Sequence, residues 1–165
     1  MTFIRSSALL KPEFLVTTHT SSQETSNTAN VSTVINGSSI TYEPYPGSNK
    51  VVYEISFYAT NHNITQYGEC AQYLKLEEYN GSIWSEISST NRKNFGSESA
   101  NAIQTSYFYV HLRYVLPAWS GSKQLRLTIA AAENDEKVVL HKINFFDGGN
   151  ATSMFYSTSL LVYSI

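Results

Sequence analysis

The chain has 165 residues, a net charge of −2, 15% charged side chains and 13% aromatic ones, with 12 tyrosines. That length suits one domain with its own core. The aromatic-rich, charge-poor composition excludes a disordered chain. The charge balance excludes a basic nucleic-acid binder, because no surplus of Lys or Arg is present to neutralise phosphates.

The N-terminal residues from Met1 to Lys11 contain no apolar run of signal-peptide length, and no stretch approaches a membrane span, so synthesis in the cytoplasm and no membrane contact are expected. The Asn-x-Ser/Thr triplets at Asn30, Asn36, Asn63, Asn80 and Asn150 then read as products of a Ser-, Thr- and Asn-rich composition. The single cysteine, Cys70, rules out an internal disulfide and reads as a half-buried structural thiol.

Residues 1–48 read as an N-terminal arm or edge segment, and 49–165 as the main domain. Thr17 to Thr33 is almost wholly small and polar, with two short candidate strands beside it, Glu13–Thr18 and Ser38–Glu43. Pro44-Tyr45-Pro46-Gly47 then marks a turn. From Lys50 the hydrophobic period is two. Val51, Tyr53, Ile55 and Phe57 alternate with Val52, Glu54, Ser56 and Tyr58. Asn80-Gly81 predicts a two-residue type I′ hairpin that sets Leu74 opposite Ile87, Lys75 opposite Glu86 and Trp84 opposite Glu77. That register puts Trp84 on the charged face as a surface platform, but a local bulge that returns it to the core is the preferred reading. Phe108, Val110, Leu112 and Tyr114 alternate with Tyr107, Tyr109, His111 and Arg113, and Leu125, Leu127 and Ile129 alternate with Arg126 and Thr128. Val138–Phe146 is apolar on both sides, which a bulge or a buried central position explains. Leu161, Tyr163 and Ile165 close the chain. With no capped helical stripe, the fold class is all-β: a jelly-roll-like β-sandwich of about eight antiparallel strands with an extended N-terminal segment.

The search for chemistry yields no catalytic residue, no metal ligand set and no cofactor. The Gly-Ser pairs lack the second glycine of a nucleophile elbow. Glu77 and Glu78 are neighbours, so on a strand they point to opposite faces. The histidines His19, His62, His111 and His141 are scattered singly; a site shared by His111 and His141 stays open. Candidate partner- or glycan-binding residues are Tyr107, Tyr109, His111 and Arg113, which line one outward strand face, together with Trp119 in the loop Leu116–Gly121. Trp119 stacks on a sugar or caps the core.

The run Val51-Val52-Tyr53-Glu54-Ile55-Ser56-Phe57, then Leu74-Lys75-Leu76, Tyr79-Asn80-Gly81-Ser82-Ile83-Trp84, Leu125-Arg126-Leu127, Leu140-His141, Asp147-Gly148 and a closing strand resembles the small jelly-roll domains of structural proteins from tailed phages and large algal viruses. The pattern also overlaps trimeric tumour-necrosis-factor-like folds. The likeness covers about residues 50–165 and carries over no catalytic residue. It implies a non-enzymatic virion structural protein, a capsid decoration, spike or tail-fibre component. Its partners would be copies of itself, as a homotrimer, and other virion proteins. The competing reading is a carbohydrate-binding adhesin module for host surface glycans; a secreted trimeric ligand comes third.

Overall fold

A computed structural model describes residues 11–26, 28–63, 68–88, 90, 93–99, 105–132, 134, 136–147 and 150–165. These form fourteen strands. They are β1 (Glu13–Thr17), β2 (Gln23–Glu24), β3 (Thr33–Val34), β4 (Ile40–Tyr42), β5 (Lys50–Asn63), β6 (Gly68–Tyr79), β7 (Trp84–Glu86), β8 (Lys93–Ser99), β9 (Thr105–Pro117), β10 (Lys123–Ala131), β11 (Glu136–Leu140), β12 (Lys142–Asp147), β13 (Asn150–Phe155) and β14 (Thr158–Ser164).

The strands sort into two main antiparallel sheets and a separate β12–β13 pair. In the first sheet the long strand β5 carries β9 along one edge. Along its other edge lie β14 and, further on, β11, with β1 outside β14 and β2 outside β11. In the second sheet β6 pairs with β10 on one side and with β7 and β8 on the other, while β3 and β4 flank β10. Segments that share a lane count as one position, so each sheet is four lanes wide. The first sheet then reads β1, β14, β5, β9 and the second β4, β10, β6, β7. Early and late strands interleave in both sheets. That is the jelly-roll arrangement, in eight positions as the sequence pattern predicts.

Alternation explains the core. Val51, Tyr53, Ile55, Phe57 and Ala59 of β5 meet Leu74 and Leu76 of β6 and Leu125, Leu127 and Ile129 of β10 between the sheets. Leu160 and Val162 of β14 and Val110, Tyr114 and Leu116 of β9 complete it. Each fully covered aliphatic or aromatic side chain contributes about 1.5–3 kcal/mol relative to exposure.

The described part of the N-terminal segment, 11–48, is edge structure woven into both sheets. It supplies β1 and β2 to one sheet and β3 and β4 to the other. Ile35, Ile40 and Tyr42 lie in the same core as the later strands. Ser38 ties it down: its hydroxyl donates to the Leu127 carbonyl at 3.1 Å and accepts from the Leu127 N–H at 3.2 Å, while Tyr53 donates to the Ser38 carbonyl.

Two expectations need correction. The β6–β7 register pairs Glu77 with Glu86 and Tyr79 with Trp84, two residues away from the predicted one. The Asn80 side chain causes the slip: its Oδ1 accepts the N–H groups of Ser82 and Ile83, both at 3.0 Å, and builds a four-residue loop in place of a type I′ turn. No bulge returns Trp84 to the core, contrary to the preferred reading: it lies on the charged outer face, where the Arg126 guanidinium stacks 4.0 Å from its ring centre. The second correction concerns Val138–Phe146. It is two strands, because His141 adopts a positive φ of 66° and turns the chain from β11 into the β12–β13 hairpin. The Cys70 side chain lies outside the described residues.

Candidate functional site

The register of β5 with its neighbours lays out the outer face of the first sheet. Tyr58 sits opposite Tyr109, Ser56 opposite His111, Glu54 opposite Arg113 and Val52 opposite Val115. Across the other edge of β5, Glu54 meets Leu161 and Val52 meets Tyr163. Leu161 in turn meets Phe14, and Ser159 meets Val16. Every one of these residues points away from the core, because each alternates with a buried one.

The face has three zones. At one end Tyr58 packs against Tyr109 with ring centres 5.1 Å apart and against Tyr156 at 4.1 Å. Tyr107 extends this aromatic zone along β9. Tyr109 is 61% exposed, although such a ring gains most when covered. In the middle, Glu54 faces His111 and Arg113: its oxygens lie 3.5 Å from His111 Nε2 and 3.8 Å from Arg113 Nε. The Arg113 guanidinium also donates to the Tyr163 hydroxyl at 3.0 Å. These contacts are half in water, so each contributes at most about 1 kcal/mol. Their effect is to fix where the side chains point. The far end holds the exposed Val115 beside the buried Val52, while on the β1 side Leu161 and Phe14 lie level with Glu54 and Val16 lies level with His111.

The structure therefore brings Tyr107, Tyr109, His111 and Arg113 onto one face, as their alternation predicts, and leaves Trp119 elsewhere. Trp119 follows β9 and packs partly buried against the core end, its ring 6.3 Å from Tyr42 in an edge-on contact and 5.2 Å from Lys123 Nζ. Its indole N–H is buried without a hydrogen-bond partner. Beside it, residues 43–48 and 118–121 enclose a groove of about 310 Å³. Glu54, Tyr58, Tyr156 and Tyr163 were not singled out from sequence. The outward set of β5 names the first two, but only the strand register places them beside Tyr109 and Arg113.

His141 is not near His111. Its partner is His19, with the rings stacked 3.8 Å apart and 12° from parallel. The Thr158 hydroxyl sits 2.9 Å from His19 Nε2, 3.2 Å from His141 Nδ1 and 3.1 Å from the Asn36 carbonyl. Gln23 is oriented by its own bonds, donating to Val34 O at 2.6 Å and accepting from the Asn36 N–H at 2.9 Å. The Oε1 atom of Gln23 therefore faces His141 Nε2 at 3.3 Å, and the network assigns the ring proton to that nitrogen. Burial, with a smaller contribution from His19, lowers the His141 pKa to about 4. Burial lowers that of His19 as well. The pair is a neutral internal clamp joining β2, the 35–37 turn, β14 and the β11–β12 junction. Among the described residues no three His, Cys, Asp or Glu side chains gather as a metal site would require.

Fold and face together define the class: a jelly-roll sandwich with one aromatic, weakly charged outer face. No protein family matches the chain, and no curated protein matches it. Among solved structures the chain is similar to a chain in the structure of infectious bursal disease virus, Gt strain. The match has 9% sequence identity and a TM-score of 0.36, and covers 93% of this chain and 38% of that one. The chain thus spans about two-fifths of the length of that viral chain.

Proposed function

We propose that this chain is a non-enzymatic structural module of a virus particle, and that it assembles through the outer face of its first sheet. The observation that carries the assembly reading is the contrast between the two outer faces. The outer face of the second sheet carries Lys75, Glu77, Glu86, Gln124 and Arg126 together with the paired rings of Tyr79 and Trp84; Arg126 is paired with Glu77 at 2.8 Å and lies over Trp84. There Arg126 covers the Trp84 ring, whereas Tyr109 and Phe14 stay largely uncovered on the first sheet. The first sheet presents Tyr107, Tyr109, Tyr58, Val115, Val16 and Phe14 around a single Glu54–Arg113–His111 cluster. A contiguous aromatic and aliphatic patch with few charges is what interaction surfaces look like, and Tyr and Arg are their usual anchors. The virion assignment is supported by the resemblance of residues 50–165 to viral jelly-roll structural domains. The partners are copies of the chain and other proteins of the particle.

The test is Tyr109→Glu, which places a charge in the middle of the aromatic zone on an exposed position, leaving the core untouched. Sedimentation should show self-association weakened by roughly 30-fold or more, the scale of an interface hot spot. Unchanged association with an unchanged circular dichroism spectrum would place the interface on another surface.

A second reading, glycan binding, is favoured by one observation. The groove between 43–48 and 118–121 combines the half-exposed Tyr45 ring and Trp119 with Glu43, Ser48 and Ser120. Aromatic rings with adjacent hydrogen-bonding groups suit a pyranose. A glycan array that is blank for the wild-type chain removes this reading and leaves assembly.

A further inference from the structure

A sheet edge exposes unpaired N–H and C=O groups, and folded proteins protect such edges with Lys, Pro, bulges or very short strands. The outer strands of this molecule differ sharply in that respect. Strands β2 and β3 have two residues each, β4 and β7 have three, and the seven-residue β8 opens on Lys93 and carries Glu98. Strand β9 carries His111 and Arg113 and ends at Pro117. Strand β1, Glu-Phe-Leu-Val-Thr, pairs only with β14 among the described residues and contains none of these devices after Glu13. Its three central residues are exposed in succession: Phe14 by 63%, Leu15 by 42% and Val16 by 55%. Alternation alone would bury Leu15, which sits opposite the core residue Leu160. It stays exposed because, among the described residues, no strand lies beyond it.

We infer that the open edge of β1 pairs with β1 of a second copy of this chain, antiparallel about a two-fold axis at Leu15. The strand is complementary to itself in that register. Leu15 meets the partner's Leu15, Phe14 meets the partner's Val16 on both sides of the axis, and Glu13 meets the partner's Thr17. All three central pairs are apolar, the kind that stabilises antiparallel ladders. The only charge of the strand is Glu13. The two copies of Glu13 lie about 14 Å apart, four residues at about 3.4 Å each, which is more than the Debye length of about 10 Å at moderate salt. A parallel arrangement would set Glu13 directly beside its twin. The two-fold contact is also closed, so no apolar edge remains to recruit a third strand.

Pairing joins the two first sheets into one, and it brings their aromatic outer faces onto the same side. The inference therefore goes beyond the proposed assembly face and doubles it. It also makes the copy number even, where the sequence resemblance implies three.

The experiment uses the full chain with Cys70→Ser as background. Leu15→Cys should form a disulfide-linked dimer under mild oxidation about ten-fold faster or more than Ile83→Cys, an exposed position in the β6–β7 loop, because pairing raises the local thiol concentration. Glu13→Cys and Thr17→Cys should each cross-link poorly alone and well when mixed. Leu15→Lys, on a surface edge, should keep the circular dichroism spectrum and weaken dimerisation by roughly 30-fold. Equal rates for Leu15→Cys and Ile83→Cys, or self-linking of Glu13→Cys, would overturn the two-fold pairing. The two readings fail separately. Loss of the Leu15 cross-link with Tyr109-dependent association intact overturns only the edge contact. A strong Leu15 cross-link with association indifferent to Tyr109→Glu overturns only the assembly face.

Discussion

Replacing His141 with Asn should remove an acid-sensitive element of the fold. His141 is completely buried, and the groups facing it are His19, Gln23, Thr158 and the edge of Phe57. Its pKa falls from 6.5 to about 4, chiefly through burial. In the unfolded chain the ring regains its ordinary value, so between these two values the unfolded state binds more protons than the native state. Stability is therefore full above pH 6.5 and falls as the pH drops toward 4. Linkage gives a loss of about 2 kcal/mol between about pH 7.5 and pH 5, and about 3 kcal/mol once the native ring is protonated. His19 adds in the same direction, and protonating both would stack two cations. Asn tolerates the left-handed backbone at this position and does not titrate. Urea denaturation followed by tryptophan fluorescence at about pH 7.5 and pH 5 measures the difference. The wild-type chain should lose about 2 kcal/mol more over this range than His141→Asn does. An identical loss in both would show that carboxylates, and not the stacked imidazoles, carry the acid response.

Gly37→Ala should destabilise by about 2 kcal/mol or more, because the site needs a φ of +83° and the added Cβ would lie 2.8 Å from Thr17 Oγ1 and 2.9 Å from Thr158 Cβ; thermal denaturation checks it, and a neutral result would mean the 35–37 turn yields freely. Tyr53→Phe should cost about 1–2 kcal/mol, since the hydroxyl donates to the Ser38 carbonyl inside the core and leaves that acceptor unpaired when removed; chemical denaturation with an unchanged m-value is the readout.

The parts of the fold that were legible in sequence are those where one strand face is core and the other is not. Residues 51–58, 107–114 and 125–129 fall in that class, and their alternation named the core set and the outward Tyr107–Arg113 face correctly. What pairwise chemistry decides was hidden. Asn-Gly is a good type I′ signal, yet the Asn80 carboxamide captured two backbone donors and moved the β7 register by two residues. Ile35 lies just beyond the polar run of Thr17–Thr33, and it is buried where its own N–H donates to the Leu127 carbonyl, far along the chain. His19 and His141 looked solitary because only the fold brings the segment after β1 and the β11–β12 junction together. Tyr58 and Tyr156 join Tyr109 through register and through the turn after the β12–β13 hairpin, neither of which has a local sequence signature.

The central claim is that the outer face of the first sheet is an assembly surface. Light scattering on the purified full chain at tens of micromolar tests it most directly, since standard interfaces remain formed well below that concentration. The account predicts a mass that is a multiple of 18.5 kDa and that falls in Tyr109→Glu. A wild-type particle of 18.5 kDa at that concentration would contradict it.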